Sequence, residues 1–287
     1  MGTPLKILIT SQKGGVGKST VSANLAAYFA HVSSKATTLV DLDHQGTAGK
    51  WVRNAAPIGI QCISVASPNN KGAGMALLQA QQALRSASAS TQVLIADLTW
   101  TDILPAEFLF DFDLVLVPSS LSRVELDSTL EFVNRFSFIF NSSMRPPPKL
   151  VVVPSRVVNM DTYSSIFNQS FNTAFFLSPP VRFSDKASEF FGSEFFVKTS
   201  HAETRDNFTE FGRAIEALGR IQEAEKPKQT SLYQPNLTGT ILDRFRAGLN
   251  SKDRKFPVAA NDHAPLSLQD RFKAAIPSFL GRAANVK

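Results

Sequence analysis

Lys13-Gly14-Gly15-Val16-Gly17-Lys18-Ser19-Thr20 decides the reading of this chain. Before it stands Leu5-Lys6-Ile7-Leu8-Ile9-Thr10, an apolar, β-branched run that reads as a strand. After it, Ser19 to His31 carries Val21, Leu25, Ala26 and Phe29 at helical spacing. A glycine-rich turn between strand and helix lets successive N–H groups curl toward one point, where they meet phosphate oxygens. The start of the helix adds its partial positive charge. Gly14, Gly15, Val16, Gly17, Lys18, Ser19 and Thr20 therefore form a candidate phosphate-binding loop. Lys18 would reach the β- and γ-phosphates of a nucleoside triphosphate, and the Ser19 hydroxyl would hold Mg²⁺.

Working outward, the same kind of strand recurs. Thr37-Thr38-Leu39-Val40 ends at Asp41, and Gln92-Val93-Leu94-Ile95-Ala96 ends at Asp97. Leu114–Val117 and Leu150–Val153 are each followed by a proline, Pro118 and Pro154. Short, continuously apolar runs belong to strands buried on both faces of a parallel sheet. Helical candidates lie at Met75–Ser86, Val124–Phe140, Tyr163–Phe176 and Glu203–Glu223. The alternation predicts an α/β fold with a doubly wound, mostly parallel sheet flanked by helices. Ligands on such sheets sit beyond the carboxyl ends of the strands, which is where Asp41, Asp43 and Asp97 fall. Cys62, in the apolar run Ile60–Val65, reads as core.

Charge divides the chain. Residues 226–287 hold 11 Lys+Arg against 4 Asp+Glu, whereas the first 225 residues hold 19 against 20. We read residues 1–225 as the nucleotide-binding domain and 226–287 as a basic, flexible tail that begins in a linker, Lys226-Pro-Lys-Gln-Thr-Ser. Two related amphipathic segments lie in this tail, Asp243-Arg-Phe-Arg-Ala-Gly-Leu249 and Asp270-Arg-Phe-Lys-Ala-Ala-Ile276. An excess of cations in one segment points to a polyanion, either nucleic acid or an anionic membrane surface. No run of about 20 apolar residues occurs, which excludes a membrane-spanning helix. The N-terminus has no secretory pattern. The single cysteine excludes an intrachain disulfide framework or a Cys₂ metal site, and fits a reducing cytoplasm.

The loop resembles the deviant Walker A motif of the ParA/MinD family of ATPases. Gln12 stands where the standard pattern has glycine, and Lys13 is an added cation. Asp41-Leu42-Asp43-His44-Gln45-Gly46 resembles that family's Asp-x-Asp-x-Gln-Gly segment, and Asp97 its Walker B aspartate. The likeness runs over about residues 5–222, and Trp51 brings it nearer the ParA partition branch. The resemblance implies two subunits sandwiching two ATP molecules. Lys18 binds the phosphates, Lys13 crosses to the partner's nucleotide, Asp43 orients the attacking water, and Ser19, Asp41 and Asp97 hold Mg²⁺. It implies a homodimer formed on ATP that binds non-specific DNA in the cytoplasm, over the nucleoid. A ParB-like partner protein would stimulate hydrolysis to position a plasmid, a chromosome region or other cargo. Arg205, Arg213 and Arg220 on the last helix of the domain are candidate DNA contacts. The alternative is a MinD-like ATPase that uses the basic tail on a membrane. The sequence departs from the family at His44, at Leu98-Thr99-Trp100 after Asp97, and at Pro154-Ser155-Arg156.

Overall fold

A computed structural model describes residues 2–65, 73–102, 104–158, 173–185 and 189–225. The basic tail and most of Tyr163–Phe176 therefore lie outside the described residues.

The strands are β1 (Leu5–Ser11), β2 (Thr37–Asp41), β3 (Ile60–Ser64), β4 (Val93–Thr99), β5 (Leu114–Ser119), β6 (Lys149–Val157), β7 (Phe176–Leu177) and β8 (Val181–Arg182). They form one sheet in the order β3-β2-β4-β1-β5-β6-β7, with β8 also paired to β6. All of these pairings are parallel. The helices are α1 (Lys18–Ala27), α2 (Thr47–Asn54), α3 (Ala73–Ser88), α4 (Arg123–Arg135), α5 (Ser137–Phe140) and α6 (Ala202–Glu225). The expected doubly wound sheet is present. β1 lies between β4 and β5, so the chain winds away from it in both directions and leaves a crevice at its carboxyl end.

Three elements differ from the sequence reading. The first helix ends at Ala27 and continues as a π-helical turn, Tyr28–Val32. The expected helix Val124–Phe140 is broken at Phe136, giving α4 and α5. Asp97 lies within β4, which continues to Thr99 because Leu98 and Thr99 still pair with Thr10 and Ser11. Cys62 lies on the strand β3 and is only half-buried, since among the described residues no further strand covers that side.

One face of the sheet carries an aromatic core. Trp100 meets Phe132 and Phe136 edge-to-face at centroid distances of 5.7 and 5.1 Å. Ala80, Leu84, Phe108 and Phe112 belong to the same buried cluster.

On the other face, α6 buries Phe208, Phe211, Ile215 and Leu218, which recur at helical spacing. This helix packs close to the sheet because two of its residues have no side chain. A Cβ at Gly212 would run into the Tyr28 ring, and one at Gly219 into Leu5. The Tyr28 ring reaches past Gly212 to donate its hydroxyl to Glu216 at 2.9 Å. Ser33 (2.8 Å), Lys35 (3.1 Å) and Arg220 (2.9 Å) also bond that carboxylate. Burial alone would raise the pKa of Glu216, but these four partners prevail and bring it down to about 2.

Gly212→Ala should therefore lower stability, although alanine is the better helix former by about 1 kcal/mol. The added methyl must displace the Tyr28 ring and its bond to Glu216. The overpacking cost of about 1–3 kcal/mol, and the lost hydrogen bond, outweigh the propensity gain. We expect a drop in Tm of about 3–10 °C by thermal denaturation followed by circular dichroism.

Candidate nucleotide-binding site

The site forms where β1, β2 and β4 end together. Asp41 and Asp97 are directly paired across β2 and β4, and Ile9 of β1 is level with Asp97. The loop that leaves β1 turns through Gly15 and Gly17 at φ 82° and 88°, a region where side chains are strained. Gly17 is the N-cap of α1. It supplies no side-chain cap, and the first helical turn holds no acidic residue. Among the described residues no carboxylate or hydroxyl caps the opening N–H groups of α1, the condition for an anion site.

Lys18, the first residue of α1, is buried beneath the loop with 7% of its surface exposed. Its ammonium donates to Asp43 Oδ2 at 2.8 Å and to Asp97 Oδ1 at 3.0 Å. Burial would depress its pKa, but the two carboxylates prevail and raise it, so Lys18 stays a cation. Asp97 also accepts from Ser19 Oγ at 2.8 Å and from Ser22 Oγ at 2.9 Å. Burial pushes its carboxyl up, against Lys18 and these hydroxyls.

Asp43 follows β2 on a short loop that ends at Gly46, whose φ of 62° lets the chain turn into α2. Its Oδ1 accepts the Gln45 N–H at 3.0 Å, and its Oδ2 also accepts the Thr99 hydroxyl. Burial would raise its pKa, but Lys18, Thr99 and the Gln45 N–H hold it well below the usual carboxylate range. Asp41 is turned to the backbone. It accepts the Asp43 N–H at 3.1 Å and the Gly49 N–H at 2.6 Å, so it shapes the Asp43 loop and the start of α2. Burial raises its pKa, and Asp97 adds to this.

Lys13 is exposed on the rim, with its Nζ 3.3 Å from the Val124 carbonyl. It makes no ion pair among the described residues, unlike Lys18.

The structure adds residues for which the sequence gave no role. Ser155 Oγ donates to the Val16 carbonyl at 2.7 Å, and the Arg156 guanidinium to the Gly15 carbonyl at 3.0 Å. The segment that departs from the family pattern thus clamps the back of the loop. Ser22 lies one helical turn beyond Lys18, a spacing that could have flagged it. A cavity of about 580 Å³ opens beside the loop, lined by Gly15, Gly17, Thr20, Trp51, Ser155 and Arg156 among others. That size suits a nucleotide.

The donor set fits a magnesium–triphosphate ligand. Uncapped amides and Lys18 match phosphate oxygens, and Ser19 beside Asp97 offers a hydroxyl and a carboxylate to a hard cation that keeps several waters. No group of three or more His, Cys, Asp or Glu able to hold a metal exists among the described residues.

Arg205, Arg213 and Arg220 lie on α6, remote in sequence from the loop. Arg213 and Arg220 are exposed, and Arg220 pairs with Glu216. Arg205 is half-buried, bonding the Thr199 carbonyl and Asp206.

Comparison with known proteins agrees with this geometry. The chain is 43% identical over 63 residues to the chromosome-partitioning ATPase Soj of Thermus thermophilus, covering 22% of this chain and 25% of that protein. It is 30% identical over 133 residues to the maintenance of carboxysome distribution protein A of Gloeobacter kilaueensis, covering 44% and 59%. The chain thus spans about a quarter to three-fifths of the length of these relatives. In fold it is similar to a plasmid partition protein of Borrelia burgdorferi solved with AMPPNP, with TM-score 0.55, 16% identity, and 72% and 98% of the two chains covered. It is also similar to the cell division ATPase MinD of Pyrococcus furiosus, with TM-score 0.53, 14% identity, and 75% and 100% covered. The family model of the CobQ/CobB/MinD/ParA nucleotide binding domain matches residues 7–256. With that match over most of its length, and a lysine-bridged pair of aspartates beneath a glycine loop, the chain belongs to the CobQ/CobB/MinD/ParA family of P-loop nucleotide-binding domains.

Proposed function

We propose that this protein is a Mg²⁺-dependent ATPase of the ParA type, a positioning switch. ATP joins two copies, the dimer binds DNA without sequence preference, and a ParB-like partner stimulates hydrolysis to ADP and phosphate and thereby release. Such a cycle would carry a plasmid, chromosome region or other cargo over the nucleoid in the cytoplasm. The observation that carries the reading is the contrast between two loop lysines. Lys18 is committed inward to Asp43 and Asp97, while Lys13 stands exposed at the mouth. A second cation at the rim is best used on phosphates of a facing subunit, where exclusion of water strengthens it.

In the proposed reaction Lys18, Ser19 and the loop amides hold the triphosphate, and Lys13 reaches the partner's. Asp43 accepts a hydrogen bond from the attacking water. Asp97 and Ser19, with Asp41 behind them, would hold Mg²⁺, which would supply charge neutralisation on the phosphates.

The test is co-sedimentation with DNA of unrelated sequence, with and without ATP. Binding should require ATP and weaken about tenfold or more between 50 and 200 mM salt, because released counterions drive it. Arg213→Glu and Arg220→Glu should each weaken it further. Binding to anionic vesicles alone, with no DNA retained at low salt, would replace this reading with the membrane one.

A further inference from the structure

We propose that Thr99 is a positioning residue for ATP hydrolysis: its hydroxyl holds the Asp43 carboxylate in the orientation that receives the attacking water. This deepens the ATPase reading above and rests on it.

The inference comes from who holds Asp43 and which holders must move. Oδ2 of Asp43 carries two donors, Lys18 Nζ at 2.8 Å and the Thr99 hydroxyl, while Oδ1 has the Gln45 N–H and lies 3.5 Å from His44 Nδ1. Lys18 is the group the phosphates recruit, so its hold on Asp43 weakens when the site fills. The Gln45 N–H and His44 belong to the same short loop as Asp43 and travel with it. Among the described residues that hold Asp43, Thr99 alone comes from the sheet. Its Cα pairs with Ser11 on β1, and the next N–H, that of Trp100, donates to the Ser11 carbonyl at 3.0 Å. The Trp100 ring is locked in the aromatic core. A β-branched side chain on a strand has a stiff χ1, so the hydroxyl is fixed in space. Ser11 is also the residue from which the phosphate loop departs, so Thr99 ties the water-orienting carboxylate to the frame that holds the phosphates.

The step it serves balances simply. The water oxygen attacks the γ-phosphorus and the bond from that phosphorus to the β,γ-bridging oxygen breaks. ADP leaves with the electron pair, and the proton released by water passes to the phosphate product. Asp43 fixes the direction of the water, and an angular error at this stage reduces the rate without changing how tightly ATP binds.

Thr99→Val keeps the shape and removes the hydroxyl. At saturating ATP, phosphate release should fall about ten- to a hundredfold, while the Kd for ATP stays within about threefold of the wild type. Thr99→Ser, which restores the hydroxyl, should recover kcat to within about threefold of the wild type. Thr99→Ala gives the same comparison should the valine variant fail to fold. Equal losses in the serine and valine variants would assign the effect to packing and overturn the proposal, as would wild-type kcat in Thr99→Val. A loss confined to ATP affinity would overturn it too. A wild-type protein that binds ATP with magnesium but never releases phosphate would instead refute the underlying ATPase reading.

Discussion

Lys18→Ala should lose ATP binding by about a hundredfold or more, read by calorimetry with magnesium present. The ammonium is a buried cation beneath the glycine loop, and burial has not cost it its charge because Asp43 and Asp97 raise its pKa. The same variant should melt lower, since it leaves two carboxylates facing each other without a counter-charge. Breaking a buried pair in this way costs about 3–5 kcal/mol. The two effects separate in the double variant Lys18→Ala/Asp97→Asn. Neutralising Asp97 should restore much of the stability, and binding should stay lost. A Lys18→Ala protein that holds ATP at wild-type affinity would show that the loop is not a phosphate site.

Asp43→Ala has the opposite signature. ATP should bind as tightly as in the wild type, or more so, because Lys18 gives up one of its two carboxylate partners and is freer to serve the phosphates. Turnover should fall by about a hundredfold or more, and dimers should persist on a sizing column with ATP. Wild-type phosphate release from this variant would assign the orientation of water to another residue.

Much of this was legible in the sequence because the period and the chemistry coincide. Apolar runs that stop at Asp41 and near Asp97 required a parallel sheet with acids at its carboxyl edge, and the register places those two residues side by side. Lys13, Lys18 and Ser19 were marked by their position between strand and helix. What the sequence hid were contacts made across long separations. Ser155 and Arg156 meet the Val16 and Gly15 carbonyls from 139 and 141 residues away, and no local pattern encodes that. The role of Thr99 was equally hidden, since a strand that outlasts its aspartate by two residues looks the same as one that stops there. The break between α4 and α5 falls among Phe132, Phe136, Phe138 and Phe140, where an unbroken helical period masks the non-helical backbone of Phe136, φ −103°.

The partnership of Tyr28 with Gly212 and Glu216 has a bearing on how the molecule is made. During translation the glycine loop and the helix after it emerge first, and the wall against which that helix rests is encoded 188 positions beyond Tyr28. At the usual pace of a ribosome that is a wait of about 10–40 s. Throughout it, the nascent strand and helix have an uncovered flank open to a chaperone, and nucleotide added to stalled chains should be captured only once the codons for α6 have been read and its peptide has cleared the exit tunnel.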